Sequence, residues 1–89
     1  MTSILVQMKV QDYSKWRAVY DENVSNRASN GMGVGKVYRN SDDMNSVAVF
    51  IEVTDMEKAR AYADSDELKQ AQMKGGVIPP PTITWLNEA

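Results

Sequence analysis

The chain has 89 residues, enough for one domain with a modest buried core. Its 43% hydrophobic and 25% charged composition is that of an ordinary globular protein, and a net charge of −2 with scattered lysines and arginines argues against nucleic-acid binding. Cysteine and histidine are both absent, which excludes disulfides, thiolate metal sites, thiol nucleophiles, histidine triads and histidine-held haem.

The opening Met1-Thr2-Ser3 runs directly into a strand-like pattern without a basic region or a long apolar run. We therefore expect no signal peptide, no membrane span and a cytoplasmic location. Residues 3 to 10 alternate, with Ile4, Val6, Met8 and Val10 on one face and Leu5, Gln7 and Lys9 on the other, the period-two pattern of a first strand. Asp12 or Ser14 can then cap a helix in which Tyr13, Trp16, Tyr20, Val24 and Ala28 form the apolar stripe, ended by Asn30-Gly31.

Residues 32 to 39 read as a second strand weakened by Gly33 and Gly35, and the polar stretch Asn40 to Asn45 as a hairpin turn into Val47 to Val53. A hairpin symmetric about that turn sets Tyr38 opposite Val47 and Gly35 opposite Phe50, whereas a slip of one residue would reverse these faces. Thr54 and Glu57 match a capping box opening a second helix, with Met56, Ala59, Tyr62 and Ala63 inward, a kink near Asp64, and a restart at Ser65 that continues through Leu68 and Ala71. Gly75-Gly76 stops it, Pro79-Pro80-Pro81 forces extension, and Thr82 to Leu86 forms a last strand suited to a sheet edge.

This order predicts an α+β, ferredoxin-like βαββαβ domain spanning residues 1 to 89, with a four-stranded antiparallel sheet and strands one and three in its middle. Val47 to Val53 carries Val47, Val49, Ile51 and Val53 on one face and Ala48 and Phe50 on the other, so it is apolar on both. Two helices cover one sheet face. A second copy of the sheet is the simplest cover for the other, making a homodimeric α+β barrel.

The run Val10, Asp12, Tyr13, Trp16, Arg17, Tyr20, Asp21, then Val37-Tyr38-Arg39-Asn40 with Asp42-Asp43, then Ala59-Arg60-Ala61-Tyr62-Ala63 and the Gly76 to Pro80 stretch, spans nearly the whole chain. It resembles small members of the dimeric α+β barrel superfamily, in particular the antibiotic-biosynthesis-monooxygenase-like proteins. The resemblance implies the fold above and a choice of activities known among relatives: cofactor-independent oxygenation of polyaromatic substrates, polyketide cyclisation, or haem degradation. The histidine that holds haem in the last group has no counterpart here, and no catalytic set transfers onto numbered positions.

Among candidate site residues, Trp16, Tyr20, Tyr38, Phe50, Tyr62 and Trp85 could line a pocket for a flat apolar ligand, or fill core. Gly33 and Gly35 beside Phe50 and Glu52 leave side-chain volume missing, as a cavity or as backbone covered by the ring. Glu52, an acid in an apolar strand, is a candidate base if buried. Arg39 and Arg60 could fork onto a ligand carboxylate or enolate or pair on the surface, and Asp42-Asp43 read as turn residues rather than metal ligands. The resulting expectation is a substrate site at Trp16, Tyr20, Tyr38, Phe50, Tyr62 and Arg60. It would bind a small aromatic or polyketide-like metabolite between sheet and helices and oxidise or cyclise it without metal or other cofactor. The alternative is a non-catalytic dimerisation or ligand-sensing module.

Overall fold

A computed structural model of the chain describes residues 2–89. The sheet holds β1 (Thr2–Val10), β2 (Met32–Arg39), β3 (Ser46–Val53) and β4 (Val77–Asn87) in the order β2-β3-β1-β4, every neighbouring pair antiparallel. The two most apolar strands, β1 and β3, occupy the middle, and the proline-bearing β4 lies at an edge, where missing amide donors cost least. The last strand is longer than the Thr82 to Leu86 stretch the sequence suggested, reaching back to Val77 through a register shift between Gln7 and Lys9. Among the described residues no helix is long and apolar enough to cross a membrane.

The first helix, expected to run unbroken to Asn30, is two shorter ones, and the second is divided where its kink was expected. Asp12 caps α1 (Tyr13–Glu22), its carboxylate accepting from the Ser14 amide at 2.9 Å. The helix breaks at Asn23 and resumes as α2 (Val24–Ser29). The cap of α3 (Met56–Ala63) is Asp55, which accepts from the Lys58 amide at 3.1 Å; Thr54 of the expected capping box lies one residue too early. The expected interruption falls at Asp64, and Ser65 restarts the chain as α4 (Asp66–Lys74), its hydroxyl accepting from the Leu68 amide. Gly76, with φ of 75°, takes the left-handed turn into β4 that glycine adopts without steric cost.

Both helix pairs lie on one face of the sheet. Along β3 the odd residues Val47, Val49 and Ile51 are buried beneath them, with Ile4 and Val10 from β1 and Trp16, Ala59 and Tyr62 from the helices. Each large apolar side chain so buried contributes about 1.5–3 kcal/mol. Among the described residues nothing covers the opposite face: Phe50 is 37% exposed, Tyr38 55%, Leu86 38% and Val34 82%.

The β2–β3 register corrects the symmetric hairpin. Tyr38 pairs with Ala48 and Gly35 with Ile51, one residue beyond the expected partners. Asn40 donates its amide to the Ser46 carbonyl at 2.9 Å, closing a five-residue turn, and the Asn40 side chain accepts from the Asp42 and Asp43 amides inside it. An extra residue in β2 between Met32 and Gly35 then bulges the strand. Gly33 stays beside Glu52, but Gly35 faces the helices against Ile51 rather than sharing a face with Phe50.

Candidate functional site

Between the helices and the sheet lies an open-sided cavity of about 90 Å³. Its floor is β-sheet aliphatic surface from Ile4, Val6, Val49 and Ile83, and its walls are Trp16, Tyr20, Tyr62 and Leu68. The strands supply β-branched side chains at every second residue, and the helices supply aromatics at three- and four-residue spacing, so both periodicities converge on one volume. Tyr20 stacks on Trp16 at 5.0 Å between ring centroids and 24° between planes. Gly35 makes room for it, since a Cβ there would stand 2.6 Å from the Tyr20 hydroxyl. Among the described residues that hydroxyl has no hydrogen-bond partner.

Polar groups come from positions the sequence reading passed over. Asn23, Arg27 and Gln72 line the cavity, whereas Val24 and Ala28, the expected apolar stripe, are exposed. The break at Asn23 leaves the inward row as Trp16, Tyr20, Asn23 and Arg27, still at helical spacing but polar in its second half. The available signal was that same spacing, taken without requiring apolar residues.

Arg27 lies with its guanidinium 3.7 Å from the centroid of the Tyr20 ring and donates to the Tyr20 carbonyl at 2.8 Å. Burial draws its pKa below the usual arginine value, but it remains cationic at neutral pH. Asn23 donates to the Tyr62 hydroxyl at 3.0 Å, and Asn26 donates to Glu67 at 2.6 Å. Burial and, after it, the charge of Glu67 raise the Tyr62 pKa, so this hydroxyl keeps its proton through the neutral range.

Of the six expected site residues, the structure brings Trp16, Tyr20 and Tyr62 together around the cavity. Tyr38 and Phe50 stand on the opposite, open face of the sheet, Tyr38 because it pairs with Ala48 and Phe50 because it alternates with the buried Val49 and Ile51. Arg60 covers the Trp85 ring at 4.3 Å and does not line the cavity. Arg39 lies 3.9 Å from the centroid of Tyr13 and donates to the Met44 carbonyl, and Glu52 is exposed. A wider hollow of about 430 Å³ on the open face touches Gln7, Lys9, Tyr38, Ala48 and Thr82. Its volume exceeds that of the cavity under the helices, but its lining is as polar as it is apolar, it is more open to solvent, and Lys9 is already paired with Asp43 at 3.4 Å. The apolar cavity under the helices is the better candidate for a ligand.

The fold is shared with solved structures of antibiotic-biosynthesis-monooxygenase-like proteins and of a cofactor-independent oxygenase. No family model and no curated protein matches the sequence. An antibiotic-biosynthesis-monooxygenase-like protein of Bordetella bronchiseptica superposes with a TM-score of 0.81 at 8% identity, covering 99% of this chain and 96% of that one. SnoaB, a cofactor-independent oxygenase from Streptomyces nogalater, gives 0.78 at 12% identity over 99% and 92% of the two chains. A conserved protein of Methanosarcina mazei gives 0.74 at 11% identity with the same coverage. At such identities the likeness establishes the fold; the activity has to be argued from the cavity.

Proposed function

We propose that the protein is a homodimeric small-molecule-binding α+β barrel. Each protomer takes an aromatic or similarly apolar metabolite into the cavity between sheet and helices and oxidises or cyclises it without a cofactor. The observation that carries the binding reading is the apolar cavity bounded by Trp16, Tyr20 and Tyr62, with the Tyr20 hydroxyl unpartnered among the described residues. In cofactor-independent chemistry the acidity of the substrate carries much of the reaction, and the protein supplies a dry volume, orientation and a few donors. Tyr20, Tyr62 and Arg27 are such donors. The fold shared with a cofactor-independent oxygenase supports this reading.

Dimerisation is proposed from the open sheet face. Phe50, Tyr38, Leu86 and Val34 leave an apolar surface exposed, and a two-fold copy would bury it self-complementarily.

Titration of the protein with small aromatic probes, followed by Trp16 emission, tests the site. Tyr20→Ala should lower probe affinity more than it lowers dimer stability; the reverse order would remove Tyr20 from the site. The second reading, a ligand sensor without chemistry, draws on the bonded state of the Tyr62 hydroxyl. Oxygen uptake with hydroxylated one-ring aromatics separates the two, since a sensor binds them without consuming oxygen.

A further inference from the structure

Arg27 has an unusual position for an arginine. It is half-buried, it lines an apolar cavity, and among the described residues it makes no ion pair. The neighbouring acids are engaged elsewhere: Asp21 holds Arg17 at 3.1 Å, and Glu67 accepts from Asn26 at 2.6 Å. A guanidinium offers five N–H donors, and the protein takes one of them, through the Tyr20 carbonyl at 2.8 Å. Removing a cation from water without a counter-ion is costly, and a bound anion offsets that cost.

The volume sets a second condition. A dry cavity of about 150 Å³ is known to hold a benzene ring. The 90 Å³ here holds less, so a single ring enters with one edge in the open side, whereas a fused tricycle would leave most of its apolar body outside in water. One cation beside a mostly aliphatic and aromatic lining suits a monoanion with a compact apolar body.

We infer that the ligand of this cavity is a small monocarboxylic acid, with one ring or a short branched chain as its body. Its carboxylate is held by Arg27 beside the Tyr20 hydroxyl, and its body lies against Val6, Val49, Leu68 and Ile83. The inference rests on the binding reading above and narrows its ligand class from aromatic or similarly apolar metabolites to small acids. The planar fork of the guanidinium matches both carboxylate oxygens, and the Tyr20 ring beneath it fixes its plane.

The test is calorimetric titration of the whole protein with benzoate and 4-methylpentanoate, with their neutral amides benzamide and 4-methylpentanamide, and with anthracene-2-carboxylate. Wild type is compared with Arg27→Gln and Arg27→Lys. The acids should bind about tenfold or more tighter than their amides, and anthracene-2-carboxylate should not bind. Arg27→Gln should erase the preference for acids, and Arg27→Lys should keep part of it, showing that charge rather than folding is at issue. Amides binding as tightly as acids, a preference that survives Arg27→Gln, or tight binding of the tricyclic acid would overturn the inference while the cavity remains a binding site. Binding of no probe at all would overturn the binding reading itself.

Discussion

The Tyr20 hydroxyl occupies the space where Gly35 has no side chain. A Cβ on Gly35 would lie 2.6 Å from that oxygen and 3.1 Å from Cγ1 of Ile51. Tyr20 has little freedom to yield, being stacked on Trp16 on one side and covered by Arg27 on the other. Gly35→Ala should therefore destabilise the fold by about 1–3 kcal/mol through overpacking. Adding Tyr20→Phe should recover most of the loss, because it removes the clashing atom. Urea denaturation of the two single variants and the double variant checks the coupling; additive losses would place the clash elsewhere.

Tyr62 ties the break between α1 and α2 to α3. Its hydroxyl accepts from Asn23 at 3.0 Å while its ring is buried in the core. Tyr62→Phe should cost about 1 kcal/mol, with the Asn23 amide left short of a partner. The loss is measured by urea denaturation, and amide exchange should quicken around residues 23 to 26.

The turn between β2 and β3 carries a pH dependence. The Asn45 amide and then the Ser46 hydroxyl, with Lys9 contributing less, hold the Asp43 pKa below its usual 3.8. A depressed carboxylate stabilises the folded turn above the unfolded value, and that contribution is lost as pH falls through the lower folded value. Amide exchange at Asn45 and Ser46 should accelerate as acid is added below pH about 4, and Asp43→Asn should remove most of that pH response.

Arg60 stacks on Trp85 outside the cavity. Arg60→Ala should cost about 0.5–1 kcal/mol of stability and leave affinity for any cavity ligand unchanged. A calorimetric titration showing lost affinity with unchanged stability would return Arg60 to the site.

The fold was legible because each element carries one strong signal. Ile4 to Val10 alternates, Val47 to Val53 is a short apolar run between turn signals, Asp12 and Ser65 stand where caps are needed, and Pro79 to Pro81 marks an edge strand. The site was half legible. Trp16, Tyr20 and Tyr62 lie on apolar helix faces that must pack inward, so periodicity finds them. The face of Tyr38 depended on the hairpin register, which a turn of five rather than six residues decides and which leaves no trace in the alternation of β2. Phe50 points away from the helices because it alternates with the buried Val49 and Ile51. Arg27 and Asn23 escaped because an apolar stripe selects Val24 and Ala28, whereas the inward row after Tyr20 is polar. A cavity for a polar ligand head breaks the pattern used to find the core.

Native mass spectrometry of the protein purified gently from its own source organism addresses the central claim directly. The expected result is a dimer carrying one or two copies of a discrete small molecule, and Phe50→Asp on the open face should convert it to monomer. A wild-type protein that is monomeric and free of ligand would contradict both the covered sheet face and the occupied cavity.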